Sequence, residues 1–103
     1  MASGILGQSA PAATTNTTVY TVPVDRTATF TITICNRDVV AATVRLAIAA
    51  TGTPAVAEYL LYDSVLPASG SIEKSGVVAG VGENVVVYAS SALTSVSVYG
   101  FEE

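Results

Sequence analysis

From Thr27 to Ile34 the chain reads Thr-Ala-Thr-Phe-Thr-Ile-Thr-Ile, a strict alternation of hydroxyl and apolar side chains. A period of two fits a β-strand, because successive side chains point to opposite faces of a sheet. Ala28, Phe30, Ile32 and Ile34 then face a core, and a threonine ladder faces water. Arg26 to Cys35 is therefore read as one strand, closed by the polar turn Asn36-Arg37-Asp38.

Six further strands are predicted on the same grounds. Thr17 to Val22 precedes Pro23; Val39 to Ala49 ends at Thr51-Gly52-Thr53-Pro54; Val56 to Tyr62 leads towards Pro67-Ala68-Ser69-Gly70. Ser71 to Val78, Val85 to Ala89 and Ser95 to Phe101 complete the set, with Gly80-Val81-Gly82-Glu83-Asn84 as a turn. Alanine is abundant between Val39 and Ala50, but valine and isoleucine alternate there with other residues, which favours strand over helix. Short strands separated by turn signals indicate a single antiparallel β-sandwich of about seven strands, jelly-roll or Ig-like, over residues 17–103. Residues 1–16 lack periodicity and are rich in Gly, Ser, Ala, Pro and Thr. They are read as an extended N-terminal arm, in which Ile5 and Leu6 are apolar residues that suit docking on a neighbour better than exposure to water.

With 103 residues, one core is the expectation. Hydrophobic residues make up 50% of the chain and charged residues only 12%, about half the usual charged share. The net charge of −4 and four scattered basic residues, Arg26, Arg37, Arg45 and Lys74, argue against nucleic acid. No apolar stretch reaches membrane-span length, since Arg45 breaks the longest. Met1 to Ala12 has no basic start and no long apolar segment, so no signal peptide is expected, and the lone Cys35 fits assembly in a reducing cytoplasm.

Several strands are apolar on both faces. Val85 and Val87 oppose Val86 and Tyr88, while Val96 and Val98 oppose Tyr99 and Phe101. A lone sandwich leaves one face of each strand in water, so this surplus points to a homo-oligomer or a subunit seated on a larger assembly. Loops or the arm covering these residues within one chain is the competing explanation.

Chemistry-bearing patterns are few. Ser71-Ile72-Glu73-Lys74 matches the Ser-x-x-Lys nucleophile motif, but in a strand positions three apart face opposite ways, and the companion motifs are missing. Gly76, Gly80 and Gly82 form no phosphate-binding pattern, and Asn16-Thr17-Thr18 matters as a sequon only on a secretory route. The absence of histidine removes the usual catalytic triads and argues against a transition-metal site. Asp25, Asp38, Asp63, Glu73 and Glu83 sit near turns without the dense acidic spacing of a calcium loop. Cys35 falls on the threonine side of its strand, as a small residue at a strand end or as the source of an interchain disulfide. No catalytic residue, cofactor or metal is therefore expected.

Certain stretches resemble a known group. Gly4-Ile5-Leu6-Gly7-Gln8-Ser9-Ala10-Pro11-Ala12, Thr17-Thr18-Val19-Tyr20-Thr21-Val22-Pro23, Ile34-Cys35-Asn36-Arg37 and Tyr59-Leu60-Leu61-Tyr62-Asp63 are similar to segments of small virion structural proteins of tailed bacteriophages. So are Gly82-Glu83 before Val85-Val86-Val87-Tyr88, and the ending Val98-Tyr99-Gly100-Phe101-Glu102-Glu103. The resemblance implies a non-enzymatic β-sandwich subunit of the particle, a capsid decoration (cement) protein or a tail- or fibre-associated component, assembled in the host cytoplasm. Its expected partners are itself, as a dimer or trimer, and other virion proteins such as the major capsid protein. Ile5, Leu6, Tyr20, Tyr99 and Phe101 are the expected contact residues. The alternative is a host-receptor or carbohydrate-binding sandwich, with Tyr99 and Phe101 as an aromatic platform.

Overall fold

The expected sandwich forms, with eight strands in place of seven. The computed structural model describes residues 3–103, so Met1 and Ala2 of the predicted arm lie outside the described residues. The strands are β1 (Ser3–Ser9), β2 (Thr17–Thr21), β3 (Ala28–Asn36), β4 (Ala42–Ala49), β5 (Tyr59–Leu66), β6 (Ser71–Ala79), β7 (Asn84–Ala89) and β8 (Thr94–Glu102). They make two antiparallel four-stranded sheets, ordered β1-β8-β3-β6 and β2-β7-β4-β5. Pairing is nested. The first strand bonds the last, the second the second-last, and so on inward to β4 and β5. The chain is thus one long hairpin rolled over onto itself.

The extra strand comes from the predicted arm. Ser3 to Ser9 lies antiparallel to β8 within the same chain. Its sequence hid this because β1 carries glycine at Gly4 and Gly7 and lacks alternation. Leu6 is an additional residue in the ladder, placed between the pairs Ile5↔Tyr99 and Gly7↔Val98. This bulge puts Leu6 against the core while Ile5 stays exposed.

The core holds what the alternation of β3 dictated. Ala28, Phe30, Ile32 and Ile34 are buried and pack with Val44, Leu46, Leu66, Val85, Val87, Val96 and Val98 of the other strands. The β3–β8 ladder runs without a break from Ala28↔Glu102 to Asn36↔Thr94. It depends on Gly100, which pairs with Phe30. A Cβ there would overlap the carbonyl oxygen of Thr29 and come within 2.6 Å of the Phe30 Cα. Those are backbone atoms, so the ladder itself would have to shift.

Among the described residues every buried side-chain nitrogen and oxygen has a hydrogen-bond partner. Asn36 is fully buried at the end of β3. Its amide nitrogen donates to the carbonyls of Val40 (2.9 Å), Leu66 (3.1 Å) and Pro67 (3.2 Å), and its side-chain oxygen accepts from the Asp38 N–H at 3.0 Å. One side chain thereby fixes the β3–β4 turn to the end of β5. At the opposite end, the Tyr20 hydroxyl donates to Glu102 Oε2 at 2.5 Å, and the Tyr20 ring meets Phe30 edge-on with centroids 5.9 Å apart. Burial first, and then the Glu102 carboxylate, push the Tyr20 hydroxyl well above the usual phenol range. It remains protonated and donating at every ordinary pH.

Three substitutions, one of them a control, test this arrangement in urea. Gly100→Ala is expected to cost about 3 kcal/mol or more of unfolding free energy through backbone overlap. Gly52→Ala, whose Cβ would meet only Thr18 Oγ1 at 3.6 Å, is expected to stay within about 0.5 kcal/mol of the parent. Asn36→Ala is expected to cost about 2–4 kcal/mol, because the buried Leu66 carbonyl and the part-buried Pro67 carbonyl lose their donor.

Candidate functional site

The two outer faces of the sandwich differ in chemistry. On the β1-β8-β3-β6 sheet, one row across all four strands reads Ser3, Phe101, Thr29, Val78. The adjacent row places Ile5 beside Tyr99 and Thr31. The threonine ladder predicted for β3 is there, and so is Cys35, half-buried between Ser95 and Ser71. Ile5, Val78 and Phe101 form an exposed apolar end to this hydroxyl-rich face. The Tyr99 hydroxyl donates to Glu73 Oε2 at 3.1 Å and lies 3.1 Å from Thr33 Oγ1, which holds the ring along the sheet.

The outer face of β2-β7-β4-β5 is aromatic. Its first row reads Thr18, Val86, Ala47, Tyr59. The next pairs Tyr88 with Arg45, opposite the Tyr62-Asp63 segment of β5. β5 carries two additional residues relative to β4, one between Tyr59 and Leu61 and one between Leu61 and Ser64. The second bulge coincides with Asp63 at φ 51°, a left-handed conformation that aspartate tolerates. It brings Tyr62 and Asp63 together onto Arg45. The guanidinium Nε donates to Asp63 Oδ1 at 2.6 Å and Nη2 to Oδ2 at 3.3 Å. The same guanidinium lies over the Tyr62 ring at 4.3 Å and the Tyr88 ring at 4.5 Å. Tyr59 meets Tyr62 edge-on, centroids 4.9 Å apart and planes at 82°. Pro54, Val56, Tyr59 and Tyr62 line a cleft of about 540 Å³ beside this cluster.

The segment before β5 explains part of the apolar surplus. Val56–Glu58 is a 3₁₀ turn, not the start of a strand, and it packs against β4. Glu58 holds the loop shut, Oε2 accepting from the Ala50 N–H at 3.0 Å and Oε1 from the Ala55 N–H at 2.7 Å. On the outer face of β4 and β7, Ala47 and Val86 are buried. Val86, at 2% exposure, is thus accounted for within one chain, whereas Leu60 (43%) and Phe101 (41%) are not.

The predicted contact residues separate accordingly. Ile5, Tyr99 and Phe101 share one face, as expected of a common surface. Leu6 is half-buried against the core. Tyr20 is a core residue bonded to Glu102 and does not reach the outside, because the bulge at Val19 turns it inward. The Arg45–Tyr62–Asp63–Tyr88 cluster was missed. Its signal was present: a charged residue in the middle of an otherwise apolar strand needs a partner across the sheet.

A second cleft, about 460 Å³, lies along the β5 and β6 edges and is lined by Ile48, Leu60, Lys74, Val77, Val78 and Glu83 among others. Among the described residues, no group of His, Cys, Asp and Glu stands together that could hold a metal ion, and no helix is long and apolar enough to cross a membrane. No protein family, curated protein or solved structure compared with the chain matches it.

The Arg45 pairing sets a pH signature. Hydrogen bonding to Arg45 holds the Asp63 carboxyl below the usual aspartate range, against the opposing effect of desolvation. A depressed folded-state pKa means that the pair stabilises the fold above the ordinary aspartate range. That contribution is lost as pH falls through the lowered folded value. Carboxyl NMR titration is expected to give Asp63 a lower midpoint in the parent than in Arg45→Gln; equal midpoints would show that the ion pair does not persist in solution.

Proposed function

We propose that this chain is a non-enzymatic structural subunit of a tailed-bacteriophage particle, a jelly-roll capsid-decoration or tail-associated protein that works as an oligomer. The nested pairing of eight strands into two sheets supports the jelly-roll assignment over an Ig-like one, which places its strands as ABED against CFG. Viral capsid domains use this architecture, but so do lectins and cupins, so the functional reading rests on the surface.

One observation carries it. In a chain with 12% charged residues, Ile5, Phe101 and Val78 stand exposed at one end of the first sheet, with half-buried Tyr99 and Thr29 among them and no described segment covering them. Burying such side chains stabilises a contact by roughly 1.5–3 kcal/mol each when burial is complete. The natural occupant is a second copy or a neighbouring virion protein such as the major capsid protein. Because β1 is a strand of the sandwich, removing residues 1–11 would strip an edge from β8 as well as part of this contact surface. Point substitutions are therefore the cleaner test.

Light scattering of the purified protein is expected to give a multiple of the 10.4 kDa chain mass. The double variant Ile5→Ser, Phe101→Ser is expected to fold, to run as a monomer and to lose uptake onto particles that lack the protein. A parent protein that stays monomeric and is not taken up by such particles would overturn the proposal.

A further inference from the structure

The aromatic face lies on the other sheet and plays no part in the contact just described. We propose that the corner formed by Tyr59 and Tyr62, closed by Pro54 and Val56, binds an uncharged sugar, a pyranose ring of a glycan. This inference is independent of the virion reading.

Shape comes first. A cleft of about 540 Å³ falls within the range of small-molecule sites. Its walls are two tyrosine rings, a proline and a valine. The rings meet at 82°, so one supplies a flat platform and the other an upright wall. The C–H faces of a pyranose pack against the electron-rich face of an aromatic ring, and tyrosine adds a hydroxyl at the rim.

Preorganisation comes second. Exposed tyrosines usually lose rotamer freedom on binding, at some cost in affinity. Here Tyr62 is held by the Arg45 guanidinium at 4.3 Å and by the Tyr59 edge at 4.9 Å. Arg45 is itself fixed by Asp63 through two bonds. The Tyr62-Asp63 bulge that creates this arrangement belongs to β5, an edge strand with no partner on its far side among the described residues. Val56, on the rim, is 93% exposed and has no packing role in the core.

Charge selects the ligand class. The described lining residues are all uncharged, and in the cluster beside the cleft the positive charge of Arg45 is matched by Asp63. An anionic ligand finds no free cation there, and a cationic one meets a carboxylate already paired. A neutral ligand with apolar faces and hydroxyl edges fits what remains.

The test uses the full chain and ligand-observed NMR, with neutral methyl glycosides of glucose, galactose, mannose and N-acetylglucosamine and their short oligomers. A sialylated oligosaccharide is the charged arm. At least one neutral sugar is expected to shift Tyr59 and Tyr62 ring resonances saturably. Tyr62→Ala is expected to weaken it by about tenfold or more. Val56→Glu, a change at an exposed rim position that leaves the core intact, is expected to do the same by narrowing and charging the cleft. Val24→Ala, in the β2–β3 turn, serves as the control and is expected to bind as the parent does. No saturable shift with any neutral sugar up to about 10 mM would overturn the proposal. So would binding that survives both Tyr62→Ala and Val56→Glu, or binding confined to the sialylated arm.

Discussion

The uninterrupted antiparallel ladder between β3 and β8 is the contact on which the rest of the sandwich is assembled. It joins residues 28–36 to residues 94–102, so the centre of the first sheet exists only when distant segments of chain meet. Every other element of that sheet is added to this pair. β1 takes its hydrogen bonds from β8, and β6 takes its bonds from β3. The inward residues of the same two strands, Phe30, Ile32, Ile34, Val96 and Val98, supply one wall of the core. Gly100 is the point where side-chain volume has been given up so that this ladder closes over Phe30.

Irregularity is confined to the borders. The inner pairs β3–β8 and β4–β7 have no register shift, whereas β1, β2 and β6 each carry an additional residue and β5 carries two. These four are the edge strands. A bulge twists an edge and spoils its row of free N–H and C=O groups as a template for another chain. A protein with this much apolar surface and so little charge is at risk of edge-to-edge aggregation, and the bulges lower that risk. Association is thereby directed to the faces of the sheets. The two faces carry different side chains, hydroxyl-rich with an apolar end on one and tyrosine-rich with a paired arginine on the other.

Much of the architecture was legible because β3, β4, β7 and β8 have one face committed to the core. Alternation in Ala28–Ile34 gave both the strand and its inward side. Where alternation failed, so did the reading. β1 reads as an arm because two glycines and a bulge erase any period of two. The segment Val56–Glu58 reads as strand because its apolar content does not reveal a 3₁₀ turn held by Glu58. Tyr20 looked like a contact because sequence does not say that a bulge at Val19 swings the next side chain inward, to a carboxylate supplied by Glu102. For the Arg45 cluster the sequence signals that the arginine needs a partner across the sheet but not which residues supply it. The members of the cluster come from β4, β5 and β7, and only the bulge at Tyr62-Asp63 brings them to one place.

The pairing of the first strand with the last has a temporal side. During synthesis β1 emerges from the ribosome before the other described strands and has no ladder partner until β8 is complete. The Gly4–Gly7 stretch, with Ile5 and Leu6 in it, must remain unpaired for the whole of that interval. Topologies dominated by such distant pairings close slowly, on the order of milliseconds to seconds. Low β-propensity in β1 is therefore useful: glycines that obscure the strand in the sequence also lower its tendency to pair before β8 exists.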